Sequence, residues 1–132
     1  LKIVFTNGCF DIVHAGHVKY LAASKSYGDI LIVGLNSNQS VSSLKGPRRP
    51  INSEKDRAYI IAALESVDYV VIFDEDNPYN LIKSIKPNIL TKGADYAGKE
   101  VIGSDLVDEL KLIDLVDDKS TSKLIKNIQR KY

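Results

Sequence analysis

Five short apolar runs, spaced along the chain and separated by longer polar-apolar segments, constrain this sequence more than any other feature. Ile3 to Phe5, Ile30 to Val33, Tyr69 to Phe73, Ile89 to Leu90 and Leu112 to Val116 are largely β-branched or aromatic and apolar on both faces. Strands of that kind are buried on both sides, as central parallel strands are. Between them, His17 to Lys25, Ser53 to Ser66, Asn77 to Ile85 and Thr121 to Arg130 carry a helical period. Local signals mark the helix ends. Ser53 with Asp56 resembles a capping box, Asn77-Pro78 pairs a cap residue with a proline at the first helical position, and Lys86-Pro87 closes that helix. Strict alternation predicts an α/β fold, Rossmann-like, with three α/β/α layers around a five-stranded parallel sheet. At 132 residues the chain is expected to form one domain over 1–132. Two stretches, Asn36 to Pro50 and Lys92 to Leu110, carry no assignment.

Charge and cysteine content narrow the function classes. Eighteen Lys and Arg against seventeen Asp and Glu leave a net charge of +1, which argues against a nucleic-acid partner held by bulk charge. A single cysteine, Cys9, excludes an intrachain disulfide and a four-cysteine zinc cage. No apolar run approaches about 18 residues, so no membrane partner is expected, and a lone thiol suits the cytoplasm.

In a parallel sheet, ligands bind beyond the carboxyl ends of the strands. The segments read there are Thr6 to His17, Asn36 to Pro50, Lys92 to Tyr96 and Asp117 to Ser122. The first, TNGCFDIVHAGH, runs from a strand through Gly8 into a helix. His14 and His17, three apart, share one face of that helix start, where N–H groups and the dipole favour an anion. Two simpler readings compete: the imidazoles merely cap the helix, or Cys9, Asp11, His14 and His17 ligate zinc, although the spacing matches no known zinc motif. In the second segment Lys45, Arg48 and Arg49 stand among Gly46, Pro47 and Pro50, suited to clamping a phosphate from a stiff loop in which an ordinary helix is not expected. Arg57 either turns inward beside them or pairs with Glu54 or Asp56. Lys92, Gly93, Asp95 and Tyr96 offer a cation, an acid and an aromatic face. Ser120, Thr121 and Ser122 precede the last helix as a further anion site.

These blocks resemble the cytidylyltransferase-like nucleotidyltransferases. GCFDIVHAGH matches their H-x-G-H signature and Ser120-Thr121-Ser122 their second one, while LKGPRRPIN and KGADY resemble the branch that adenylylates heptose 1-phosphate. The resemblance implies an enzyme that moves AMP from ATP, with Mg²⁺, to heptose 1-phosphate and releases pyrophosphate. It also implies a homodimer. It assigns catalysis to His14, His17 and Lys45. Thr6, Asn7, Gly8, Phe10, Arg57, Lys92, Gly93, Asp95, Tyr96, Ser120, Thr121 and Ser122 fall to the nucleotide, and Asp11, Asn38 and Arg49 to the acceptor; no residue is assigned as a metal ligand. Asn38 stands where an acid is usual. A cytidylyltransferase acting on glycerol 3-phosphate or another alditol phosphate, and a nucleotide-binding module without catalysis, are the competing readings.

Overall fold

The computed structural model describes residues 1–115. The expected Thr121–Arg130 helix and the Ser120, Thr121 and Ser122 cluster lie outside the described residues.

Five strands form one sheet, every neighbouring pair parallel: β1 (Ile3–Gly8), β2 (Ile30–Asn36), β3 (Tyr69–Phe73), β4 (Ile89–Gly93) and β5 (Glu109–Ile113). Their order is β3-β2-β1-β4-β5. The chain therefore builds outward from β1 to β3, then crosses back to lay β4 on the other side of β1. The reversal between β1 and β4 is the topological switch point, where adjacent loops diverge and open a crevice.

Helices α1 (Ala15–Lys25), α2 (Asn38–Lys45), α3 (Glu54–Ala62) and α4 (Tyr79–Ile85) make the crossovers. Leu21 of α1 and Ile61 of α3 pack with Val4, Leu31 and Val33 on one face of the sheet. Ile82 of α4 packs with Phe5, Leu90 and Val101 on the other. The three-layer Rossmann-like architecture expected from the alternation is the one observed; the first four strands begin where expected, and β1, β2 and β4 run three residues past their apolar runs. Two further differences stand out. The Asn36 to Pro50 stretch holds α2, capped by the Ser37 hydroxyl accepting from Ser40 N. β5 begins at Glu109, because an edge strand alternates polar and apolar side chains and leaves no continuous apolar run.

Candidate active site

The first loop is strained and pinned. Phe10 and Ile12 adopt φ of 47° and 53°, a left-handed conformation that is rare for a β-branched residue. Such strain persists only where surrounding contacts hold it. Here they do. Asp11, 1% exposed between those two residues, accepts from Ile51 N at 2.6 Å and Asn52 N at 2.9 Å, and pairs with Arg49 Nε at 3.4 Å. The Cys9 carbonyl accepts from Arg57 Nη1 at 2.8 Å. Gly8 has no side chain because a Cβ there would stand 3.0 Å from the Phe10 ring.

The pinned loop delivers His14 as the N-cap of α1, with His17 one turn on. His14 Nδ1 accepts from Gly16 N at 3.1 Å, and His17 Nδ1 accepts from His14 N at 3.2 Å, so the two imidazoles close a reciprocal capping box. A ring nitrogen that accepts from a backbone N–H carries no proton, so in the neutral ring the proton sits on Nε2. Capping thus fixes the tautomer of both rings. The rings stack with centroids 4.1 Å apart, and Phe10 braces His17 edge-on at 5.5 Å. His14 Nε2 is buried without a hydrogen-bond partner in the protein. Capping, one of the competing readings in the sequence, is the role that the Nδ1 atoms of both rings take.

Both imidazoles line a cavity of about 690 Å³ over the carboxyl ends of the strands, within the range of small-molecule sites. Its wall includes Asn7, Gly8, Phe10, Asp11, Lys45, Arg49, Lys92, Gly93 and Tyr96, all expected at the site. Lys45 reaches it as the last residue of helix α2 rather than from an irregular loop; Gly46, at φ 103°, ends the helix beyond it. Lys92 Nζ lies 5.1 Å from the centre of the Tyr96 ring, and burial pulls its pKa below the usual lysine value while Asp95 opposes that shift. Among the described residues no group of three or more His, Cys, Asp or Glu side chains is placed to hold a metal ion.

Four expected ligand contacts are placed elsewhere. Arg57 is not on the cavity wall: fully buried, it spends its guanidinium on the carbonyls of Cys9, Asn36 and Asn52 and on Asn38 Oδ1, at 2.7–3.1 Å. It turned inward, but to tie the loops after β1 and β2 to the start of α3. Asn38 also leaves the wall, since its Oδ1 accepts from Glu54 N while its own N–H donates to Glu54 Oε1, joining the starts of α2 and α3. Thr6 is buried beneath the cavity, its hydroxyl bonded to Tyr20 and the Thr91 carbonyl. Asp95 is exposed beside Lys92 and off the wall. Asp11 keeps its place on the wall, but its carboxylate is engaged by the protein.

The structure adds residues that the sequence reading passed over. Tyr20 lines the cavity, and its hydroxyl joins Thr6, Thr91 and Ser24 in a buried chain; burial raises its pKa against the opposing effect of those hydrogen bonds. Asn36, Asp76, Asn77, Pro78 and Ile102 also line the wall. The segment Asp74 to Pro78 follows a strand just as the other site loops do, so the same carboxyl-end rule points to it. Its backbone is held by Ser40 Oγ donating to Glu75 O at 2.8 Å.

The cytidylyltransferase-like family profile matches residues 5–131. The chain belongs to the cytidylyltransferase-like family. It is therefore a nucleotidyltransferase, and a nucleotide is its substrate. Curated relatives include the bifunctional protein HldE of Aliarcobacter butzleri, 66% identical over 97% of this chain, and that of Sulfurimonas denitrificans, 64% identical over 97%. The chain spans 27% of the length of each. Among solved structures, a lipopolysaccharide core biosynthesis protein from Thermoplasma volcanium superposes with a TM-score of 0.72 at 28% identity, covering 86% of this chain and 98% of that one. Among the described residues no helix is long and apolar enough to cross a membrane.

Proposed function

We propose that this single domain transfers AMP from ATP to heptose 1-phosphate, releasing pyrophosphate and forming ADP-heptose. The observation that carries it is the imidazole pair, stacked and tautomer-locked at the switch point, with Lys45, Arg49 and Lys92 on the same wall. The LKGPRRPIN and KGADY segments and the kinship with the bifunctional proteins support the heptose branch.

The chemistry asks little of a base. A sugar phosphate has a second pKa of about 6 and arrives already ionised. Rate must come from alignment and from neutralising two anions that repel each other. His14 and His17 bring their imidazoles to the triphosphate, and they stay in register because their Nδ1 atoms are held by the backbone. Lys45 and Lys92 supply charge from the cavity lining; the cost of burying Lys92 as a cation is recovered when phosphate oxygens approach it. Magnesium bound with the nucleotide would screen its phosphate charge, leaving these side chains to align it. Tyr96 gives the nucleoside an aromatic face. Assembly as a homodimer in the cytoplasm completes the proposal.

The test is a matrix of ATP and CTP against heptose 1-phosphate and glycerol 3-phosphate, read as pyrophosphate release. ATP with heptose 1-phosphate should stand well above the rest. Highest turnover with CTP and glycerol 3-phosphate refutes the branch, and nucleotide binding without turnover of any pair refutes the enzyme. Sedimentation velocity settles the assembly.

A further inference from the structure

Helix α1 is tied to the sheet by hydroxyls as well as by apolar contact. Thr6 of β1, Thr91 of β4 and Ser24 of α1 are fully buried, and the Tyr20 hydroxyl stands among them. Thr6 Oγ1 donates to the Thr91 carbonyl at 3.1 Å, and a hydroxyl has one proton to give. Thr6 must therefore accept the 2.8 Å bond from the Tyr20 hydroxyl. With its own proton spent, Tyr20 accepts from Thr91 Oγ1 in a longer contact of 3.4 Å, and Thr91 accepts in turn from Ser24 Oγ at 2.8 Å. The protons run one way, from Ser24 through Thr91 and Tyr20 to Thr6, and end on the Thr91 carbonyl. Bonds ordered in this way polarise one another. Tyr20 lines the cavity, yet its proton is already committed to Thr6 and none is left for a ligand.

These hydroxyls do what apolar burial cannot. Apolar burial is non-directional and resists rotation or sliding of a helix on a sheet only weakly. Hydrogen bonds to defined partners are directional and fix both. The Tyr20 hydroxyl bridges β1 and β4, the two strands beside the switch point. On the helix it lies one turn beyond His17, and on the sheet its partner Thr91 directly precedes Lys92. Resting on the reading of His14, His17 and Lys92 as groups that meet the triphosphate, we propose that Tyr20 is a positioning residue for nucleotidyl transfer. Through Thr6 and Thr91 its hydroxyl holds the imidazole-bearing start of α1 in fixed register with the end of β4 that carries Lys92.

Steady-state kinetics of Tyr20→Phe test it, with the fastest of the four ATP or CTP and acceptor pairs, at a temperature where circular dichroism shows every variant folded. Loss of register should lower kcat about tenfold or more while KM for the nucleotide stays within about twofold of wild type. Thr91→Val should lose a similar factor, and Thr91→Ser, which keeps the hydroxyl, should retain most of the rate. The double variant Tyr20→Phe/Thr91→Val should be no slower than the slower single one, because both remove the same tie. An unchanged kcat with a lowered melting temperature makes the tie structural only, and a raised KM makes Tyr20 a ligand contact. Either result overturns the proposal, as do losses that multiply in the double variant or a Thr91→Ser as slow as Thr91→Val. A wild type that turns over no pair refutes the transferase reading and this role together. Turnover with CTP and glycerol 3-phosphate alone refutes the heptose branch and leaves Tyr20 to the same comparison.

Discussion

Replacing Arg57 by methionine separates a guanidinium that builds the site from one that binds its ligand. Arg57 is fully buried and donates to four oxygens: Asn52 O at 3.0 Å, Cys9 O at 2.8 Å, Asn36 O at 2.7 Å and Asn38 Oδ1 at 3.1 Å. Hydrogen bonds from a charged donor contribute about 1.5–3 kcal/mol each, so the four set an upper bound of roughly 6–12 kcal/mol. Returning the guanidinium to water offsets several kcal/mol of that. Methionine fills much of the volume, so the cavity contribution is small, and water can reach some of the abandoned carbonyls. The expected net loss is about 3–5 kcal/mol, a large share of the roughly 5–15 kcal/mol a domain of this kind possesses. At about 3–5 °C per kcal/mol for this chain length, the midpoint should fall by roughly 10–20 °C. Thermal unfolding followed by circular dichroism measures it. Arg57→Lys should lose nearly as much, because one ammonium cannot reproduce a planar fork reaching four oxygens. A melting point within about 3 °C of wild type, accompanied by a raised KM for ATP, would refute the reasoning and return Arg57 to the ligand.

His17→Ala should lower kcat at least about a hundredfold in steady-state assays, as loss of a charge-stabilising donor does; it should also cost about 1 kcal/mol of stability, since the ring caps His14 N. Normal turnover would remove the imidazole pair from the mechanism. Lys92→Met should hold or raise the melting temperature of the free protein, because burial depresses this amine, while raising KM for ATP; a destabilised variant with normal KM contradicts that account. Asp68 accepts from Lys25 Nζ and Leu31 N, which hold its pKa below the usual carboxylate value. A depressed folded pKa means the contribution is present above the unfolded value of about 3.9 and lost as pH falls through the folded one. Acid titration of Asp68→Asn should therefore show a shallower loss of stability below about pH 4 than wild type, and parallel curves would exclude the contact.

The first loop shows how far one sequence reaches. Residues three apart at a helix start share a face whatever the rest of the fold does, so the His14–His17 pair was legible from spacing alone. A glycine at the end of the first strand, basic residues before Pro50, Lys92 at the end of β4 and Tyr96 just beyond it were likewise visible, because the carboxyl-end rule needs only strand positions. Helix α2 was not, since Asn38–Lys45 is polar and short and takes its stability from the Ser37 cap and the Asn38–Glu54 link.

Local periodicity and turn chemistry determined the parallel sheet, its strands and the residues at its ligand-binding end, because these depend on neighbours within one turn or one strand. Which charged groups face a ligand was decided by tertiary structure alone. Asp11 and Arg57 read as site residues equal to Lys45 and Lys92, yet the first two are consumed by backbone groups, several of them 40 or more positions away in sequence. A buried charge must be satisfied by whatever the fold brings beside it, and no spacing rule carries that information.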